Sequence, residues 1–320
     1  MRRLLLALAF VIGLVHVGGV SAFPSRPITI IVPYGAGGAT DMFARTLAAA
    51  LGVRMGTSVV VENVPGAGGT IGIQRMNNAP ADGHTLIVAS GMEYEMQNLV
   101  NPGTTPRATE MVPIGNFGSQ PMVLVVRPAL GVRSLDAFIA LAQAKPGVVS
   151  LASVGPGTAL QLTGLVLQQA AGIQLNDVSY KGAGQIVTDL LAGHVDAAIM
   201  TVPVVEPHLG SGKLLALGVS QATRSSVLPQ VPSFSETPAL KGSVDATLTY
   251  PLYARKGTPG PVIDQLRQHA AAVLADPLFQ SALLKLMIAP AARISGEDVQ
   301  TVNRTQLAAF TKALAAKGRP

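Results

Sequence analysis

Three times in this sequence a short apolar run ends in a glycine-rich turn that leads into a helix-like stretch. The turns are Gly35-Ala-Gly-Gly38, Gly66-Ala-Gly-Gly69 and Gly155-Pro-Gly157. This repetition constrains the fold more than any other feature. A strand followed by a tight turn and a helix can return to the same sheet only as a βαβ crossover, which builds a parallel sheet covered by helices.

The order of elements agrees. Residues 27–33, 58–62 and 85–90 are β-branched runs that read as strands. Phe43, Leu47 and Leu51 recur at helical spacing and Gly52 is the expected stop. A second series follows, with strands at 121–126, 148–153, 177–180, 195–200 and 214–220. The intervening helices fall at 134–144, from Thr158 through 167, and at 185–191. After Pro232 the pattern loosens, and helices are expected at 261–274, 277–287 and 297–315. The fold class is therefore α/β, with two domains: residues 23–123 plus 225–320, and residues 124–224. The chain crosses between them at least twice, so a hinge is expected. Open α/β sheets bind ligands at the carboxyl ends of their strands.

Glycine lets a backbone approach an anion closely, and the first N–H groups of a helix lack internal partners. Such a turn can hold a pyrophosphate in an enzyme or a carboxylate in a receptor. For a dinucleotide site, Thr40 stands where the third glycine belongs, and Pro33 intrudes at the turn. No Lys-Ser/Thr pair follows either N-terminal loop, which excludes a P-loop. No Gly-x-Ser-x-Gly elbow is present, and His84, His194, His208 and His269 have no plausible nucleophile beside them. No spacing suggests a metal site, and no cofactor is expected.

The ends and composition narrow the choice. Arg2 and Arg3 precede an apolar run over residues 4–15, and Val20-Ser-Ala22 offers small residues for signal peptidase. This is read as a secretory signal over residues 1–22, cleaved after Ala22, for a protein of the periplasm. With no cysteine, neither disulfides nor acylation at cysteine is available. A net charge of +6 mildly favours anionic partners, but no basic run points to nucleic acid, and 4% aromatics supply few stacking platforms.

Several motifs in order resemble the extracytoplasmic receptors of tripartite tricarboxylate transporters, the Bug receptor family. They are Arg26-Pro-Ile-Thr-Ile-Ile-Val-Pro33, Gly37-Gly-x-x-Asp41, Val60-Val-Glu-Asn63, Pro65-Gly-Ala-Gly-Gly69 and Asp82-Gly-His-Thr-Leu86. They continue with Gly155-x-Gly-Thr158, Tyr180-Lys-Gly182, Asp189-Leu-Leu-Ala-Gly-His-Val-Asp196 and Leu228-Pro-x-Val-Pro232. The resemblance spans nearly the whole mature chain. It implies a type II, Venus-flytrap receptor, monomeric and without catalysis, that closes on a small carboxylate and delivers it to membrane subunits. A periplasmic sensor for a signalling partner is the alternative role, and a dinucleotide-dependent enzyme the weaker one.

Carried over by position, the resemblance implies ligand contacts from Tyr34, Ala36, Gly37 and Gly38 and from Gly66, Ala67, Gly68, Gly69 and Thr70. It adds Ser90, Ser153, Gly157, Thr158, Tyr180, Lys181, Gly182 and Asp196. Capture is expected through backbone N–H groups at Gly37-Gly38 and Gly68-Gly69, since those loops contain no Arg or Lys. Thr158 can serve its own helix or the ligand. Asp41 reads as a capping or dipole partner, Lys181 as a solvated side chain, and Asp196 as structural or as a polar specificity residue. The chain departs from the family at Gln161, near which a histidine is frequent, and at 247–252, where a tryptophan is common. It departs again at Ser90-Gly-Met-Glu-Tyr-Glu-Met-Gln97, where Glu93 and Glu95 bear on the ligand if they enter the cleft.

Overall fold

The computed structural model describes residues 23–89, 110–242, 246–297 and, in part, 299–311. The expected signal over 1–22, Ser90, Glu93, Glu95 and part of the last expected helix lie outside the described residues.

The first βα series is β1 (Ile28–Val32), α1 (Ala39–Met55), β2 (Val59–Asn63), α2 (Thr70–Asn77) and β3 (Thr85–Val88). β1 pairs in parallel with β2 and with β3. β1 and β3 are buried almost throughout, as β-branched runs covered on both faces require. α1 presents Phe43, Ala44, Leu47, Ala48 and Leu51 to the core. It runs past Gly52, the expected stop, and closes at Gly56, whose φ of 63° is the left-handed conformation that suits a C-terminal glycine.

The second series comprises β5 (Ser150–Ser153), α4 (Ala159–Ala171), β6 (Asn176–Ser179), α5 (Ala183–Ala192) and β7 (Ala197–Thr201), preceded by α3 (Leu135–Ala144). β5 pairs in parallel with β6 and β7. α6 (Val202–Gly210) and β8 (Leu215–Val219) complete it. α6 was not expected, because Pro203 and Pro207 break the helical pattern in the sequence. Pro203 lies in the first turn, where its missing N–H has no intrahelical acceptor to lose.

One strand joins the two halves. β4 (Met111–Val126) is far longer than the expected 121–126, because Pro113, Gly115 and Gly118 hide its first half. Between Met111 and Pro121 it pairs antiparallel with β9 (Thr247–Arg255), and from Met122 to Val126 with β7 and β8. β9 was also missed. It sits between β3 and β4 in the sheet, so the sheet is mixed and its centre antiparallel. α7 (Gly260–Leu274), α8 (Pro277–Lys285) and the short β10 (Ala289–Pro290) follow, with β10 on the edge of β4.

Ser220 fastens the crossing. It is fully buried, its hydroxyl donates to the Ala246 carbonyl at 2.6 Å, and it accepts from the Met122 N–H at 3.1 Å. Its own N–H donates to the Met122 carbonyl at 2.9 Å. Phe43 ties α1 to both long strands, with ring centroids 5.7 Å from Phe117 and 4.9 Å from Tyr250. The segment after β8 stays with the second half. Phe234 is fully buried, and its ring lies so close to Gly218 of β8 that a Cβ there would stand 2.8 Å from it.

Candidate functional site

β1, β5, β6 and β7 all end at one cleft, and each is followed by a helix start. Gly38, Ala39 and Thr40 open α1, while Thr158, Ala159 and Leu160 open α4. Gly182 and Ala183 open α5, and Thr201 precedes α6. All line the same cavity, with Tyr34, Gly35, Val154 and Leu248 between them. Its volume is about 510 Å³, open mouth included. No Asp, Glu, Lys or Arg side chain lines it among the described residues.

Three of these helices carry no side-chain cap: the N-cap residues Gly38, Gly182 and Thr201 make no capping hydrogen bond. α4 differs. The Thr158 hydroxyl accepts from the Gln161 N–H at 3.3 Å and donates to the Gly155 carbonyl at 2.9 Å, so it serves its own turn. The cleft therefore gathers unpaired N–H donors and the positive ends of helix dipoles while offering no fixed negative charge.

A polar hub behind the cleft shapes the first loop. Asp41, 4% exposed, accepts from the Gly37 N–H at 2.9 Å, from Arg45 Nε at 3.1 Å and from Asn63 Nδ2 at 2.9 Å. Asn63 also donates to the Tyr34 carbonyl at 3.1 Å. Burial pushes the Asp41 pKa up, but the hydrogen bonds from Arg45, Gly37 and Asn63, together with the Arg45 charge, outweigh it. They hold the carboxyl below its ordinary 3.8. Asp41 is thus an internal anion that orders the loop.

The hub changes the expected donor set. The Gly37 N–H is committed to Asp41, and the Gly69 N–H donates to the Gly66 carbonyl at 3.0 Å. Neither is available to a ligand in this arrangement. Ala36, Gly66, Ala67, Gly68 and Thr70 lie outside the cavity lining, although the Gly69 turn abuts the Tyr34 ring. Of the expected residues, the structure gathers Tyr34, Gly38, Thr158 and Gly182 on the wall. Ser153 ends β5 just beneath, and its carbonyl accepts the Tyr180 N–H. Gly157 donates to the Gln161 side chain at 3.3 Å. The Tyr180 hydroxyl donates to Asp189 at 2.6 Å; burial first, and this bond second, push its pKa up to about 12. Lys181 is exposed.

Of the two roles expected for Asp196, the geometry supports the structural one, and its place among the ligand contacts is not kept. It precedes β7 at the amino end of the strands, opposite the cleft. Its carboxylate is taken by Arg127 Nε at 2.9 Å and by the Ser150 N–H and hydroxyl at 3.0 and 2.9 Å. Both carboxylate oxygens are engaged within the chain, and Asp196 is not in the cavity wall. Ala39, Thr40, Val154, Ala159, Leu160, Ala183, Thr201 and Leu248 were not foreseen. Thr201 was legible as the residue after a strand end, but Leu248 comes from the missed β9.

Residues 43–312 match the family described as the tripartite tricarboxylate transporter family receptor, TctC. The chain belongs to this receptor family. Protein BugT of Bordetella pertussis is 38% identical over 251 residues, covering 77% of this chain and 76% of BugT. The periplasmic binding protein BugD matches with a TM-score of 0.85 at 29% identity, covering 93% of this chain and 99% of BugD. Rpa4515 of R. palustris, solved with adipate, gives a TM-score of 0.85 at 27% identity, covering 92% of this chain and 98% of Rpa4515. This TctC receptor is a solute-binding protein with the two-domain α/β fold of periplasmic binding proteins.

Asp41→Asn in the receptor is expected to cost about 1–3 kcal/mol at neutral pH, through weakened bonds to a charged acceptor. Because the folded-state pKa lies below the unfolded one, the stabilisation is complete above the ordinary 3.8 and is lost as pH falls through the folded value. Urea unfolding of both proteins at neutral pH and at about pH 3 checks this. The difference should shrink on acidification, and a difference that grows contradicts it.

Proposed function

We propose that this receptor captures a small carboxylate between its two lobes and passes it to the membrane subunits of a tripartite transporter. The observation that carries the reading is the convergence of uncapped helix starts on a cleft without charged side chains. Such a site favours an anion through backbone donors and would not hold a cation. The adipate in Rpa4515 indicates the ligand class. The proposed contacts are the N–H groups of Gly38, Ala39 and Thr40, those at Gly182 and Ala183, and the hydroxyls of Tyr34 and Thr201.

The proposed lobes meet at Pro121/Met122, where β4 changes partners, and again just before Ala246. This return crossing is proposed in place of the 224/225 boundary that the sequence suggests; the packing of Phe234 against Gly218 of β8 supports it. The receptor is proposed to act as a monomer, without catalysis, in the periplasm after removal of residues 1–22. The intact mass of the exported protein should correspond to a chain beginning at Phe23; a retained leader contradicts the cleavage.

Thermal shift with dicarboxylates, hydroxy acids, amino acids and aromatic acids tests the ligand class. A true ligand at one hundred times its Kd should stabilise by about 2.7 kcal/mol. Gly38→Val is compatible with the extended backbone there but places methyl groups over the α1 donors. It should weaken binding about tenfold or more, or about 1.4 kcal/mol. Lys181→Ala should change binding much less. Normal binding by Gly38→Val with abolition by Lys181→Ala would place the anion site elsewhere.

A further inference from the structure

Gln120 is 1% exposed, and among the described residues neither its amide nitrogen nor its amide oxygen has a hydrogen-bond partner. A buried donor or acceptor left unmade costs about 1–3 kcal/mol. Other buried polar groups of this part of the fold have partners within the chain. Ser220 bonds to Ala246 and Met122, Asn116 accepts from the Tyr250 N–H at 3.0 Å, and Thr163 donates to the Ala159 carbonyl at 2.8 Å. Among the described residues nothing answers this carboxamide, which makes it a candidate to meet a ligand.

Its register aims it at the cleft. Gln120 of β4 stands opposite Leu248 of β9, and directly opposed residues put their side chains on one face of the sheet. Leu248 lines the cavity. Two positions on, Met122 shares that face and stands opposite Thr201, which also lines the cavity. Gln120 therefore lies on the cleft face between Leu248 and Thr201, beneath the cavity wall that these two residues form and not itself part of that wall, near the point where β4 changes partners. The helix starts on the walls offer only donors. Gln120 offers donors and an acceptor together and carries no charge.

We propose that Gln120 is a specificity-determining residue of the cleft, reading a group that both donates and accepts. Its ligand is a small carboxylate bearing a hydroxyl or a carboxamide. The carboxylate rests at the helix starts, and the neutral group meets Gln120 directly or through one water. This rests on the carboxylate reading above and narrows it. A plain hydrocarbon tail would leave the amide unpaired, which is the penalty by which a polar site rejects an apolar analogue.

Gln120→Met keeps the length of the side chain and removes its polar atoms. Calorimetry on wild type and variant would use matched unbranched acids from butanoate to octanoate, with and without a terminal hydroxyl or carboxamide. Wild type should favour the substituted acid of the best-binding length by about tenfold or more. In Gln120→Met that ratio should fall to within about threefold, with the unsubstituted acid bound as before. The melting temperature of the ligand-free variant should hold or rise, since an unpaired buried group is gone. An unchanged ratio in the variant overturns the proposal. So does a fall in ligand-free stability with every affinity intact, which would mark a structural amide. Equal binding of substituted and plain acids by wild type overturns it while leaving the carboxylate reading standing. Failure of wild type to bind any carboxylate overturns both.

Discussion

A helix begins with N–H groups that have no acceptor of its own, and most helices satisfy them with a capping side chain. Here α1, α5 and α6 begin without one, and all three begin at the same cleft. Their donors are left to water or to a ligand. The topology enforces the convergence. Parallel strands end at one edge, their helices start there, and β4 runs through both halves of the sheet. A carboxylate can be held in this way without any cationic side chain in the wall. The chain's positive charge is therefore scattered over the surface and not concentrated at the site.

Among the described residues, the carboxylate in the first turn of α1 is kept out of the cleft by bonds of its own. Asp41 sits in the first turn of α1, where its charge favours the helix dipole. It faces away from the cavity into bonds with Arg45, Asn63 and the Gly37 N–H. In consequence the loop from Tyr34 to Gly38 is held from behind. Across the cleft, the position of a Cβ on Gly35 would lie 3.8 Å from the Lys181 carbonyl, so the two lobes meet through backbone. Glycines at both lips allow that approach, and a side chain at either would stand between the lobes.

Much of this was legible in the residues. The glycine turns marked the strand–helix junctions, and the βαβ order gave the two parallel halves. What escaped notice was the centre of the sheet. The first half of β4 carries Pro113, Gly115 and Gly118, and β9 carries Pro251, so neither shows the uninterrupted β-branched run that identified β1 and β3. Tertiary pairing overrides that weak local preference. Missing β9 hid Leu248 from the site. The glycine loops also suggested that every N–H in them serves the ligand. The hydrogen bonds from Gly37 to Asp41 and from Gly69 to Gly66 could not be read from composition, because they depend on which neighbour the folded chain brings within reach.

The central claim is that the anion is held by main-chain donors at helix starts. Backbone amide NMR of the deuterated receptor during titration with a bound carboxylate tests it most directly. A new bond to a carboxylate moves an amide proton downfield. The largest such shifts are expected at Gly38, Ala39 and Thr40 of α1 and at Ala183 of α5, with the Lys181 amide and side chain little changed. Shifts centred on Lys181, with the α1 amides unmoved, would contradict it.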